Sequence, residues 1–328
     1  MCHLCRLCHF NFTTINMAFS QKQQGHLIML LVMGIFGLNI PVNKYFYESG
    51  LLTPMAMTLL RMGFATISFW TVSFFMPKEK VEKKDMLILC IGGLSGMLIN
   101  QSLFAYGLGQ TSSVDASIIT TSSPLFAMIL AAIILKEPIT FKKFGGVILG
   151  GAGAVFLVYT STQGVGVAQG NSLLGDLSVL SAQLFYSFYI VITRPLATKY
   201  SPVTMMKWMF LFSVIVDLPF GSSYVREAPL FYQSDIMPFL LLSFTLIGAT
   251  FIAYMLIPLA QRRIRPTTIS MYNNMQPLIA SIVAISMGMD RFTIEKLIAA
   301  VLIFGGVYLV TASKSKADLD REKEIVKE

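Results

Sequence analysis

Two polar tracts interrupt an otherwise apolar chain: Thr120-Thr121-Ser122-Ser123-Pro124 and Asn273-Asn274-Met275-Gln276-Pro277. Hydroxyls and carboxamides carry no charge, but they donate and accept hydrogen bonds. The chemistry these tracts offer is recognition of a polar solute. Each tract ends in a proline, which lacks an N–H and clashes with the carbonyl four residues earlier. Pro124 should therefore free the carbonyl of Thr120, and Pro277 that of Asn273. Three amides on one buried turn are costly without partners, so Asn273, Asn274 and Gln276 are the leading solute contacts. Thr120 and Thr121 follow, with Ser122 and Ser123 beside them. The plainer reading is that the hydroxyls bond their own helix and the prolines only shape packing.

Other groups of the same kind are spread along the chain. Asn100 and Gln101 precede Tyr106, Asn39 and Asn43 flank Pro41, and Gln183 precedes Tyr186 and Tyr189, which share a helix face. Tyr254 joins them. Amides and phenols orient a polar metabolite, and rings cover its apolar part. As interhelical glue the same groups would each contribute only ~0.6–2 kcal/mol. Arg61 is the sharper charge, because burying it unpaired costs at least ~2.5–3.5 kcal/mol. It could bind a solute carboxylate or phosphate, pair with Asp176 or Asp217, or snorkel outward. Lys207 reads as a snorkelling lysine. Asp115, Asp176 and Asp217 fall near helix ends and Glu48 in a loop, so no acid at mid-depth supports proton coupling.

Catalysis finds no footing. The three histidines, His3, His9 and His26, all lie near the start, and the chain has no His-Glu-x-x-His, Walker or Gly-x-Ser-x-Gly pattern. No catalytic residue, cofactor or metal is expected. Cys2, Cys5 and Cys8, with His3 and His9, are spaced like ligands. Nine residues do not readily close a four-ligand site, so they read as a leader upstream of a start at Met17. Cys90 is a small packing residue, and the 20 methionines read as packing and lipid-facing groups.

The elements that must position these groups are membrane helices. Hydrophobic residues make up 55% of the chain and charged residues 13%, and the mean hydropathy is +0.67. Ten apolar runs cover 26–46, 54–76, 86–107, 113–135, 143–160, 174–194, 202–220, 236–260, 266–288 and 294–312. Each approaches the ~20 residues that span a bilayer. None alternates as a barrel strand would, and a backbone in lipid must satisfy itself, so the runs are predicted helices. The net charge of +8 is explained by topology. With the N-terminus in the cytoplasm, nineteen Lys and Arg fall on cytoplasmic segments and four on the opposite side. That bias predicts a multi-pass protein of the cytoplasmic membrane with both termini inside. It implies no nucleic-acid partner.

The second half repeats the first at an offset of 153, from Thr120/Asn273 and Pro124/Pro277 through Glu137/Asp290, Thr140/Thr293 and Lys143/Lys296. Thr53-Pro54 pairs with Ser201-Pro202 at offset 148. Five helices per half is an odd number, so equivalent helices cross in opposite directions. The expected fold is all-α: ten transmembrane helices as two inverted five-helix repeats, with a solute site between them. The expected parts are a leader over 1–24, repeats over 25–160 and 173–312, an external Gly-rich linker over 161–172 and a cytoplasmic tail over 313–328. Gly146 and Gly150 form a small-residue face that suits packing inside the monomer first and a homodimer second.

Leu135-Lys136-Glu137-Pro138-Ile139-Thr140, then Gly145-Gly146 and Gly150-Gly151-Ala152-Gly153, resemble the end of an EamA-type domain of the drug/metabolite transporter superfamily. Arg61 with Ala65, and Gly175-Asp176-Leu177, resemble its second helix and the opening of its second domain. The resemblance covers residues from about 25 to 312 and departs from the pattern at Asp290-Arg291. It implies ten helices and movement of a metabolite, often outward. Three readings are weighed: a secondary carrier, a membrane enzyme, and a non-transporting subunit or receptor. The first is favoured, with a small polar, amphipathic or zwitterionic solute such as an amino acid.

Overall fold

The computed structural model describes residues 20–110, 116, 119–162, 173–276, 278–279, 282 and 294–314, and the regular elements among them are all helical. The cysteine-rich leader, Asp115, linker residues 163–172, Pro277, Asp290, Arg291 and the tail from 315 lie outside the described residues. In chain order the helices are α1 Gln21–Glu48, α2 Pro54–Phe74, α3 Lys83–Gln110, α4 Ser123–Ile134 and α5 Phe141–Thr162. Then follow α6 Leu173–Lys199, α7 Pro202–Arg226, α8 Met237–Gln261, α9 Pro266–Met271 and α10 Ile294–Thr311. Helices α1, α2, α3, α6, α7 and α8 are long and apolar enough to cross a membrane, and Ser123–Ile134 and Leu297–Thr311 are shorter apolar helices. The chain is an all-α membrane protein.

Helix starts follow from side-chain caps. The Ser20 hydroxyl accepts from Gln23 N while the Gln23 side chain accepts from Ser20 N, which opens α1 with a reciprocal capping pair. Thr53 and Ser201 open α2 and α7 in the same way as each other. Each hydroxyl accepts from the amide three residues on, at 3.2 Å, and proline fills the first helical position. These are the two Thr/Ser-Pro pairs related by the repeat.

The packing repeats as well as the sequence. Helix α5 lies against α10, α2 against α7 and α4 against α9, each helix meeting its own counterpart. A Cβ on Gly146 would sit 2.8 Å from Gly306 O, and one on Gly153 would sit 3.1 Å from Ala299 O. Gly146 and Ala299 are counterparts at offset 153, as are Gly153 and Gly306, so this is one contact seen from either half. The same holds at offset 148. Leu59 packs on Gly221, and their counterparts Lys207 and Ser73 are bonded at 2.8 Å. Such exchange is what a two-fold relation between inverted repeats produces.

The small-residue face of α5 is therefore taken up inside the chain. Gly306 of α10 faces it, and a Cβ there would meet Gly146 O and the Gly150 N and Cα, all at 2.6 Å. Backbone atoms cannot rotate away. Gly306→Ala should lower stability by ~3 kcal/mol, the upper part of the overpacking range. Gly151→Ala, where a Cβ meets nothing within 4 Å, should change little. Thermal unfolding of the two variants in detergent checks the contrast.

Three departures from plain helices matter for the site. Helices α3 and α8 widen into π-helix over Leu94–Ile99 and Phe244–Ile252, segments that overlap under the repeat. The hydrophobic runs gave no sign of this. Helix 4 does not merely kink at Pro124. It breaks into a turn at Thr121 and Ser122 and restarts, with Pro124 in the first turn of α4, where a missing N–H costs nothing. Helix 9 tightens into a 3₁₀ turn over Tyr272–Met275 at the corresponding place.

Lys207 corrects the expectation of snorkelling. It is buried, donates to Ser73 Oγ, and lies 5.2 Å from the Trp70 ring centroid and 6.0 Å from that of Trp208. The rings and the hydroxyl at the end of α2 hold the ammonium, so it need not reach the surface.

Candidate functional site: a cavity between the two halves

A cavity of about 120 Å³ lies where the halves meet. Its wall comes from the last turns of α1 and α3, the first turns of α2, the first half of α6, and the broken middles of helices 4, 8 and 9. It therefore lies toward the end of the bundle away from Gln21 and Thr311. The lining includes Asn39, Arg61, Asn100, Gln101, Thr120, Tyr186, Tyr254, Asn273 and Gln276, all expected from sequence, together with Asn43 and Gln183. Tyr47, Thr58, Phe36 and Phe104 also line it, and sequence reasoning missed them. Only their helical spacing from Asn43, Arg61, Asn39 and Gln101 could have shown it.

The polar groups hold one another across the halves. Gln101 Nε2 donates to Tyr254 OH at 2.9 Å, and these two are repeat counterparts. Counterparts touch only where the two-fold axis passes, so this bond marks the axis. Asn273 Nδ2 donates to Ser123 Oγ at 3.1 Å, and Ser187 Oγ donates to Ser123 O at 2.9 Å, tying helices 9, 4 and 6 together. Asn100 Nδ2 donates to Ala182 O at 2.8 Å, and Thr245 Oγ1 donates to Asn39 Oδ1 at 2.7 Å. Gln276 reaches Met33 Sδ at 3.7 Å. Tyr186 OH and one amide oxygen each of Asn43 and Gln101 are buried without a protein partner. Hydrogen bonds left open at a cavity wall can be completed by a solute.

Arg61 takes neither acid proposed for it. Its Nε donates to Thr250 Oγ1 at 2.8 Å and its Nη2 to Ala249 O at 3.3 Å, both within the π segment of α8. Asp217 is buried on α7 and takes no part in the cavity wall.

The structure does not bring every candidate together. Asn274 is fully buried, and its Nδ2 would lie 3.4 Å from a Cβ on Gly150, so it is turned toward α5 and away from the cavity. Thr121 sits in the turn of helix 4 and Tyr106 is exposed, and neither lines the cavity. Pro124 is buried beside it and Pro277 lies outside the described residues.

The end that carries Gln21 and Thr311 is closed by charge. Glu137 bonds Lys143 at 2.8 Å through one oxygen and Arg194 of α6 through the other. Arg262 donates to Ala197 O and Tyr200 O, the last carbonyls of α6, and Arg265 does the same for Val310, Thr311 and Ser313 of α10. Helix C-terminal carbonyls have no partners of their own and favour cations. Gln261 Nε2 donates to Ile190 O and Thr193 Oγ1, both at 3.0 Å. Burial pushes the Glu79 carboxyl up, but hydrogen bonds from Thr204 and Ser201 outweigh that and hold it below its ordinary value. A second cavity, of about 290 Å³, lies at this end beside Lys22, Arg194, Arg263 and Arg265.

Known proteins resemble the chain along most of its length. A family model described as the EamA-like transporter family matches residues 23–159 and again 173–312. An uncharacterized transporter, YetK, of Bacillus subtilis is 21% identical over 306 residues, covering 91% of this chain and 90% of that one. The WAT1-related protein At3g53210 of Arabidopsis thaliana is 26% identical over 327 residues, covering 90% and 87%. A solved crystal structure shares the fold with a TM-score of 0.69 at 16% identity, over 89% of this chain and 96% of that one.

Proposed function

The chain belongs to the EamA-like transporter family and is a multi-pass membrane transporter; from that premise we propose that it is a secondary carrier working by alternating access. The solute is a small polar or amphipathic metabolite, an amino acid or related compound being the type expected, and it moves outward across the cytoplasmic membrane. Both termini lie in the cytoplasm. The end rich in Lys and Arg is then the cytoplasmic end, in keeping with the positive-inside rule. The cavity then faces out, and the conformation is outward-open.

The observation that supports this reading most is the Gln101–Tyr254 bond on the two-fold axis, beside a cavity that lies toward one end of the bundle. Two halves related by such an axis can exchange conformations, and the exchange moves the opening to the other end. The test is accessibility. In a chain stripped of Cys2, Cys5, Cys8 and Cys90, Asn43→Cys should react with a membrane-impermeant thiol reagent added outside, and a transported solute should slow that reaction severalfold. Transport itself is read by release of labelled metabolites from liposomes. Protein that inserts and folds but moves none of a broad panel would instead be a subunit or receptor.

A further inference from the structure

We propose that the central cavity receives an organic monoanion, a small carboxylate with a net negative charge rather than a net-neutral amino acid, with Arg61 as its receptor; this rests on the carrier reading and narrows the substrate class of the same site. Arg61 stands seven residues into α2, inside the spanning bundle. A guanidinium stays protonated under any condition a protein meets, so it cannot shed its charge as a buried lysine can. Its protein partners are neutral: the Thr250 hydroxyl and the Ala249 carbonyl. Among the described residues the ion pairs are Lys44 with Glu48, Glu137 with Lys143 and Arg194, and Lys199 with Glu82 and Asp85. None includes Arg61.

Those bonds occupy Nε and Nη2. Nη1 takes no partner among the described residues, and the side chain lines the cavity. The Tyr186 hydroxyl, buried and unpartnered, lines the same space, as does the phenol of Tyr47. One permanent positive charge and free O–H donors, held out of bulk water, are what a carboxylate needs in place of its hydration shell. A single cation balances a single negative charge, whereas a phosphate dianion would carry an unbalanced charge into the bundle. Phe36 and Phe104 offer apolar surface for the rest of the solute.

The experiment compares matched acids and amides, benzoate with benzamide and lactate with lactamide, by the thermal protection and dissociation constant each gives to purified full-length protein. The acids should bind at least tenfold more tightly than their amides. Arg61→Gln should abolish that preference, and Arg61→Lys, which keeps the charge, should retain it at lower affinity. Arg61→Gln also removes two bonds to α8, so the comparison on wild-type protein stands without it. Equal affinity for acid and amide, no binding of either, or an intact acid preference in folded Arg61→Gln would overturn the assignment. A parallel liposome screen separates the two readings. Flux of neutral solutes without any acid preference sinks the anion receptor and leaves the carrier, whereas no flux of any solute sinks both.

Discussion

Glu137→Gln is expected to lower folding stability by about 3–5 kcal/mol, the usual cost of removing one partner from a buried ion pair. Lys143 is wholly inaccessible, and its Nζ lies 2.8 Å from Glu137 Oε2, with the other carboxylate oxygen on Arg194. The variant keeps the shape of the side chain and loses its charge. Lys143 is then a buried ammonium with no other carboxylate within ion-pair distance among the described residues. Glu137→Gln combined with Lys143→Met should recover much of the loss, because it leaves no uncompensated charge. If the single and double variants melt alike, the pair is not the source of the cost. A second readout follows from the geometry. Glu137 lies between α4 and α5 and binds α6, so it joins the two repeats at the end opposite the cavity. Loosening that seal should favour the alternative conformation and slow outside labelling of Asn43→Cys. Chemical denaturation in mild detergent reads the first effect, and labelling rates in membranes read the second.

The repeat makes much of this architecture legible in the sequence. An offset of 153 relates Gln101 to Tyr254, and residues on a two-fold axis must meet their own counterparts, as these two do. The Thr53-Pro54 and Ser201-Pro202 pairs marked two helix starts for the local reason that a hydroxyl cap and a proline at the first position suit only that place. What stayed hidden was set by neighbours distant in sequence. The sequence offers Arg61 acids as partners, but its partners are a hydroxyl and a carbonyl in a π segment, and nothing in Phe244–Ile252 distinguishes that segment from an ordinary apolar helix. Lys207 reads in the sequence as a lysine in search of water, because Trp70 and Ser73 lie on another helix, 137 and 134 residues away in the chain. Thr58 sits among apolar residues and Tyr47 beside Lys44 and Glu48 at a helix end, and neither belongs to a polar tract, so composition alone could not single them out.

The amide tract supplies the second large effect. Adjacent residues in a 3₁₀ turn point about 120° apart, so Asn273 and Asn274 cannot both face one cavity. Asn273 lines it and bonds Ser123 across the halves, whereas Asn274 is turned toward Gly150 with both amide atoms unpartnered. Asn273→Ala should therefore reduce transport by at least tenfold while leaving the protein folded and in the membrane, since only one modest bond of ~0.6–2 kcal/mol is lost. Asn274→Leu should do the reverse. A buried amide without partners costs ~1–3 kcal/mol, and a leucine, branched at the same carbon with the same number of heavy atoms, removes that cost, so the variant should melt at a higher temperature and transport near the wild-type rate. Flux assays paired with melting curves separate the two outcomes. Wild-type flux in Asn273→Ala would take the first amide out of the site. Loss of flux in a well-folded Asn274→Leu would mean that the second amide turns inward during the cycle, and that α9 rotates as the halves exchange.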